Sequence, residues 1–159
     1  MIDGYGRTID YVRISVTDRC NLRCVYCMPE EGVGSISHEE ILRFGEIERV
    51  CQILAENGIQ KIKLTGGEPL VRRRLPELAA ALKRIPGIKS LTITTNGVLL
   101  EEMYDALADA GVDSVTISLD TLDASVYRQL TRRDEIEAVR RGLRTAIQKG
   151  RMQIKINCV

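Results

Sequence analysis

The chain has 159 residues, in which 23 Lys and Arg stand against 22 Asp and Glu and leave a formal net charge of +1 at pH 7. With 44% hydrophobic and 28% charged residues, the composition excludes disordered, collagen-like and coiled-coil proteins. The near-neutral charge argues against a nucleic-acid or membrane-surface partner, and no apolar run approaches the ~18 residues of a membrane span.

Strands and helices alternate along the sequence. β-Branched residues at every second position predict a first strand over 11–17, and a cysteine-containing loop follows it. Ser37 and Glu40 form a capping-box pattern, which predicts a first helix with apolar residues at helical spacing as far as Asn57 and Gly58. The same criteria predict strands over 61–65, 90–95, 114–119 and 152–159, and helices over 75–84, 101–110, 124–130 and 135–149.

Repeated strand-then-helix units favour parallel strands joined by helical crossovers. We therefore predict an α/β fold, either a partial (β/α) barrel of about five parallel strands or an open sheet. A closed eight-stranded barrel needs ~250 residues, and an apolar strand at a chain end leaves a sheet edge that proteins normally cover. We expect residues 1–159 to be a fragment of a longer protein, or a partner chain to cover this edge.

The predicted strands carry polar residues at every second position, although both faces of a parallel sheet are normally buried. If helices cover the apolar face, the polar residues share the other face. Burying them unpaired would be costly, so we expect that face to meet water or a polar ligand. Three cations among hydroxyls favour an anion such as a phosphate or a carboxylate. The alternative is an antiparallel-like sheet with one solvated face. The residues concerned are Arg13, Lys63, Thr94, Ser118 and Lys155.

Three of the five cysteines, Cys20, Cys24 and Cys27, lie within eight residues in a CxxxCxxC pattern. Thiolates bind zinc and iron–sulfur clusters, usually in groups of four. A [4Fe–4S] cluster held by three thiolates keeps one iron free for another ligand. The alternatives are a zinc site completed by His38, or three separate thiols.

The remaining cysteines, Cys51 and Cys158, lie in register with the apolar residues of the predicted first helix and last strand. We therefore expect both to be buried and to pack as small hydrophobic residues. An odd number of cysteines in a chain without a visible secretory signal disfavours disulfide bonds. We therefore expect a soluble, cytoplasmic protein.

A second loop, with Gly66, Gly67 and Glu68, follows the second predicted strand. Two glycines allow positive φ and close approach of the backbone to a ligand, and the carboxylate adds an acceptor for an amino group. By itself a Gly-Gly pair is more often only a turn. Because loops at the carboxyl ends of parallel strands gather together, this one is a candidate for binding a zwitterionic amino-acid group beside the cysteines.

These motifs, in this order, resemble those of radical S-adenosylmethionine (SAM) enzymes, and among them the GTP 3′,8-cyclases of molybdenum cofactor biosynthesis. The cysteine motif carries the resemblance to the superfamily, and the later motifs favour the cyclases. The matching segments are RISVTDRC from Arg13, CMP from Cys27, TGGEPL from Thr65, TTNG from Thr94, SLD from Ser118 and KIN from Lys155.

The resemblance implies a lyase in which Cys20, Cys24 and Cys27 hold a [4Fe–4S] cluster whose free iron binds SAM. Reduction by an electron donor would release a 5′-deoxyadenosyl radical, which would abstract the 3′ hydrogen of GTP and lead to 3′,8-cyclo-7,8-dihydro-GTP. By the same resemblance, SAM-binding positions are Tyr26, Gly67 and Ser118, and GTP-binding positions are Arg13, Lys63, Thr94 and Lys155.

Members of that family are longer and carry a second three-cysteine cluster in their C-terminal half. The resemblance thus implies that residues 1–159 are the N-terminal part of a radical SAM (β/α) barrel, with the C-terminal half absent. We expect this chain alone to turn over GTP poorly. The alternatives are a radical SAM enzyme acting on a peptide or another small molecule, and a non-catalytic zinc or iron–sulfur binding module.

Overall fold

The structure, a computed structural model, describes residues 2–32, 34 and 40–158. Within these residues, five parallel strands form one sheet in sequential order. The strands are β1 (Tyr11–Ser15), β2 (Lys61–Thr65), β3 (Ser90–Thr95), β4 (Ser114–Ser118) and β5 (Gln153–Asn157). The predicted α/β fold with an open sheet of about five parallel strands is confirmed, and the antiparallel-like alternative is wrong.

The connections between the strands are helical. The helices are α1 (Phe44–Glu56), α2 (Leu75–Lys83), α3 (Leu100–Asp109), α4 (Ala124–Thr131) and α5 (Ile136–Lys149), with a short 3-10 helix at Pro69–Val71. Among the described residues, no helix has both the length and the apolar character needed to cross a bilayer.

The start of α1 differs from its prediction. The backbone N–H of Arg43 donates to Glu46 Oε2 at 2.6 Å, so the capping interaction lies there and the helix begins at Phe44. Glu40 lies in a turn before the helix, and Ser37 lies outside the described residues. An acidic side chain in the first turn of a helix can accept from a free N–H at the helix start, and here that residue is Glu46 rather than Glu40.

The two faces of the sheet differ in polarity. Apolar residues of one face pack under the helices and form the core; they include Ile62, Leu64, Leu91, Ile93, Val115 and Ile117. In the register, Arg13 pairs with Lys63, and Thr116 pairs with both Thr94 and Lys155. Because paired residues of a sheet point to the same side, these polar residues lie on the other face, as predicted. We call Arg13, Lys63, Thr94, Ser118 and Lys155 the polar face.

The edge strand β5 is incompletely covered. Ile156 is 50% exposed, and Cys158, which follows the strand, is exposed too. The prediction that Cys158 is buried is therefore wrong, because β5 pairs only with β4 in the described sheet and its end is not covered. Cys51, on the inner side of α1, is fully buried as predicted.

Candidate functional site at the carboxyl ends of the strands

The segment that follows β1, residues 16–32, is called the cysteine loop here, and it is bound directly to the loop after β2. The N–H groups of Gly67 and Glu68 donate to the carbonyl oxygens of Thr17 and Arg19, each at 2.7 Å. Backbone hydrogen bonds of this kind fix both loops at one edge of the sheet, since parallel strands end on the same side. The expected proximity of the two loops is confirmed.

Gly66 and Gly67 are required by this close contact. Neither residue has a positive φ, so that part of the expectation is wrong. A Cβ atom on Gly66 would lie 2.6 Å from Thr17 O, and one on Gly67 would lie 2.4 Å from Arg19 O. Side chains at these positions would therefore push the two loops apart, and glycine is the residue that lets two backbones meet.

Glu68 lies in the protein interior, with 1% of its surface exposed. Its Oε1 accepts from Leu70 N at 2.9 Å and from Thr95 Oγ1 at 2.7 Å, and its Oε2 accepts from Asn96 N at 2.7 Å. Burial raises the pKa of the carboxyl, and these donors oppose the rise. The predicted role of Glu68 toward a ligand amino group stays a prediction. What the structure shows is a carboxylate that ties the loops after β2 and β3 together.

The thiols Cys20, Cys24 and Cys27 are free and lie on one loop. Cys20 and Cys24 are partly buried, and Cys27 is exposed. Burial raises the pKa of the two partly buried thiols, and the charge on Cys27 adds to the rise at both. Asn96 Nδ2 stands 3.9 Å from Cys20 Sγ and places an amide beside the group.

The donor set fits an iron–sulfur cluster. In the described part of the chain, no three Cys, His, Asp or Glu side chains are gathered closely enough to hold a single metal ion. In a [4Fe–4S] cluster each thiolate binds a different iron, so the sulfurs surround an object larger than one ion. Three soft thiolates from one loop suit such a cluster. His38, the fourth zinc ligand considered from the sequence, lies outside the described residues.

The far side of the cysteine loop is held by the end of α4. The backbone N–H of Arg23 donates to Thr131 O at 3.0 Å. Arg132 Nη1 donates to the carbonyl oxygens of Arg23 and Met28 at 3.0 and 3.2 Å. Sequence analysis missed Arg132, because these contacts join segments that lie far apart in the chain and no local pattern marks them.

Two of the predicted SAM-binding residues share one small cavity. Tyr26, Ser118 and Cys24 line it, and its volume is about 50 Å³; we call it the loop cavity. The hydroxyl of Tyr26 donates to Asp120 Oδ2 at 2.8 Å, which links the cysteine loop to the segment after β4. The structure thus brings Tyr26 and Ser118 to the cysteines, as expected.

The charged side chains of the polar face have no partners among the described residues. The side chains of Arg13, Lys63 and Lys155 make neither a hydrogen bond nor an ion pair there. By contrast, Lys61 on the same face of β2 pairs with Asp10 at 2.7 Å. Arg13 and Lys63 are register neighbours, whereas Lys155 lies three strands from Lys63, roughly 14 Å across the sheet. Unpaired cations beside hydroxyls form a surface that attracts an anion.

Comparison with known proteins identifies relatives over the whole chain. The sequence model of the radical SAM superfamily matches residues 14–159. The GTP 3′,8-cyclase of Pelotomaculum thermopropionicum is 53% identical over 159 residues, which cover 100% of this chain and 49% of that protein. The GTP 3′,8-cyclase of Petrotoga mobilis is 48% identical, also over 100% of this chain and 49% of that protein. The chain spans about half the length of the curated relatives it matches.

Solved structures share the fold. Streptococcus suis SuiB superposes with a TM-score of 0.72 at 22% identity, over 94% of this chain and 32% of SuiB. The structure titled "Native anSMEcpe with bound AdoMet" has a TM-score of 0.72 at 21% identity, over 93% of this chain and 43% of that one. At these identities the likeness shows a common fold.

Proposed function

The chain belongs to the radical SAM superfamily, and from this premise we propose that it forms the N-terminal part of a GTP 3′,8-cyclase of molybdenum cofactor biosynthesis. The observation that carries the proposal is a group of three free thiols at the edge of a face with three unpaired cations. The names of the relatives at 53% and 48% identity support it. The reaction would convert GTP to 3′,8-cyclo-7,8-dihydro-GTP.

We assign the [4Fe–4S] cluster to Cys20, Cys24 and Cys27, which are free thiols on one loop. When bound and reduced, the cluster supplies the electron that releases a 5′-deoxyadenosyl radical from SAM. The chain's own residues fix the cysteine loop from both sides and so hold the thiols against the sheet edge. The residues that we assign to SAM are Tyr26, Gly66, Gly67, Glu68 and Ser118.

The polar face supplies the charge that a nucleotide triphosphate needs. Arg13 and Lys63 stand side by side, and Lys155 approaches from the opposite edge strand. A guanidinium binds phosphate oxygens in a bidentate manner, while an ammonium acts as a point charge. Thr94, on the same face, offers a hydroxyl for the sugar or phosphate oxygens. We propose that these groups hold GTP over the sheet with its triphosphate on the cations.

The remaining partners belong to the same proposal. An electron donor must reduce the cluster, and a further segment or another chain would cover the polar face and the exposed end of β5. The half-length match to the curated relatives supports the presence of such a segment. Free thiols persist in a reducing compartment, which supports action in the cytoplasm.

Anaerobic reconstitution of the intact protein tests the cluster and the substrate together. We expect bound iron and sulfide, an absorbance change on addition of SAM, and the cyclic product from GTP, SAM and reductant by mass spectrometry. A colourless protein that binds only zinc would contradict the cluster and favour a binding module. A cluster that cleaves SAM without forming the cyclic product would favour a radical SAM reaction on another substrate.

Two lysines of β2 provide a matched test of the GTP site. Lys63→Met removes an unpaired cation from the polar face, so we expect weaker GTP binding and a smaller dependence of that binding on salt. Lys61→Met removes a lysine from the same strand and face, but one already paired with Asp10, and should leave GTP binding nearly unchanged. Equal losses in the two variants, measured by equilibrium binding, would argue against a triphosphate site at Lys63.

A further inference from the structure

Tyr127 is a buried tyrosine whose hydroxyl group is not satisfied by the described residues. Tyr127 lies in α4 with 4% of its surface exposed, and its OH has no hydrogen-bond partner among the described residues. Thr131 lies close by, but its hydroxyl donates to the backbone oxygen of Tyr127 at 2.8 Å. Buried polar groups are almost always hydrogen-bonded, and an exception calls for an explanation. The hydroxyl is therefore a free donor, and its acceptor is not among the described residues.

The surroundings of Tyr127 indicate what that acceptor is. Tyr127 and Cys24 line the same loop cavity. Burial raises the pKa of the phenol, so the hydroxyl keeps its proton and can act as a donor. Of the three thiols, Cys24 is the one that lines this cavity together with Tyr127. A neutral thiol accepts hydrogen bonds weakly, whereas sulfur carries negative charge once iron is bound, and charge strengthens a hydrogen bond.

We propose that Tyr127 donates its hydroxyl hydrogen bond to a sulfur atom on the Cys24 side of the bound [4Fe–4S] cluster and thereby raises the reduction potential of the cluster. The inference rests on the proposed function, since it requires the cluster at these thiols. Hydrogen bonds to the sulfurs are among the factors that set the potential of a cluster, because the donor stabilises the added electron. The proton stays on the phenol oxygen, and one electron enters the cluster from the external donor.

Two tyrosine-to-phenylalanine variants test this role. Tyr127→Phe removes only the unpaired hydroxyl. Tyr104→Phe is the matched control, because Tyr104 is also buried but its OH accepts from Arg151 N and Met152 N at 2.9 and 3.2 Å. We expect the apo-protein melting temperature to be unchanged or higher in Tyr127→Phe and lower in Tyr104→Phe.

Redox titration of the reconstituted proteins, followed by electron paramagnetic resonance, gives the decisive measurement. In Tyr127→Phe the equilibrium for cluster reduction should fall about tenfold, a shift of ~59 mV to lower potential for one electron. Tyr104→Phe should keep the wild-type potential. In the wild-type protein, iron–sulfur vibrations in resonance Raman spectra should shift in deuterated water, and this shift should shrink in Tyr127→Phe.

Other results would contradict the role of Tyr127 or the presence of the cluster. Equal potentials in all three proteins, or no solvent-isotope shift in the wild type, would overturn the role of Tyr127 while leaving the cluster in place. A loss of apo-protein stability in Tyr127→Phe as large as in Tyr104→Phe would show that the hydroxyl has an internal partner and would also overturn it. Failure of the wild-type protein to bind iron and sulfide would instead overturn the proposed function.

Discussion

The carboxylate of Glu68 accepts three protein hydrogen bonds in the interior, which decides what its replacement should do. In Glu68→Gln, an amide NH₂ would face at least one N–H or O–H donor and leave it unsatisfied. We expect a loss of about 1–3 kcal/mol in the free energy of unfolding, the usual cost of an unpaired buried group. Urea denaturation of the apo-protein measures it.

Glu77→Gln is the control for this prediction, because Glu77 is exposed and its partner Arg74 lies on the same surface. Surface ion pairs contribute little to stability, so this variant should unfold nearly as the wild type does. If Glu68→Gln unfolds at the same urea concentration as the wild type and Glu77→Gln, the carboxylate of Glu68 does not tie the two loops together.

Cys51 offers a test of burial that depends on pH. Its thiol is fully buried, and burial, with the charge on Glu48, raises its pKa to about 11. The folded state thus favours the neutral thiol. This stabilisation is complete below the unfolded pKa of about 8.5 and is lost as the pH rises through the folded value. Between about pH 8.5 and 11, the free energy of unfolding should therefore fall more steeply in the wild type than in Cys51→Ala.

Alkylation checks the same burial directly. In the native apo-protein at alkaline pH, iodoacetamide should modify the exposed thiols Cys27 and Cys158 and leave Cys51 unmodified, as mass spectrometry of peptides would show. In urea all of them should react. Rapid native modification of Cys51 would contradict its place in the core.

At the scale of whole elements, the cysteine loop is held between the loop after β2 and the end of α4. Arg132, the residue after α4, has φ 56°, a conformation that favours glycine. Arg132→Gly should relieve this backbone strain but remove the side-chain hydrogen bonds to Arg23 O and Met28 O. We expect a more mobile loop, seen as faster proteolysis, and less iron retained after reconstitution and gel filtration.

Arg74→Gly separates the two effects. Arg74 also has a positive φ, 62°, but its side chain pairs with the exposed Glu77 on the surface. This variant should retain iron as the wild type does. Equal iron loss in Arg74→Gly and Arg132→Gly would mean that backbone strain, and not the tether to the loop, controls retention.

At the scale of the whole molecule, the polar face is open to solvent in the described structure. Arg13 and Lys155 are exposed, and the end of β5 is uncovered. A reaction that depends on excluded water needs this face to be closed. We therefore expect residues 1–159 alone to bind iron and sulfide but to form little cyclic product from GTP, measured by mass spectrometry under anaerobic conditions.

The matched comparison is a longer protein that contains the same residues followed by the segment present in the curated relatives. It should form the product from the same amount of bound cluster. Full activity of residues 1–159 alone would contradict the requirement for further chain over the polar face.

The sequence by itself determined the elements and their polarity. Strand and helix patterns are local, so alternation with a period of two placed Arg13, Lys63, Thr94, Ser118 and Lys155 on one face before any contact was known. The cysteine spacing likewise indicated the candidate metal ligands, because three thiols within eight residues share one loop whatever the rest of the chain does. The rule that parallel strands end at one edge added the Gly-Gly loop to the same site.

Only the tertiary structure decided which polar groups find partners. The burial of Glu68, the tether from Arg132 and the unpaired hydroxyl of Tyr127 all depend on contacts between segments distant in the chain, and no local pattern records such contacts. The exposure of Cys158 also depends on tertiary structure, because a position in register with apolar residues is buried only where another element covers the strand. The local sequence determines the secondary structure and the chemistry of each side chain, and the packing of distant segments determines its burial and its partners.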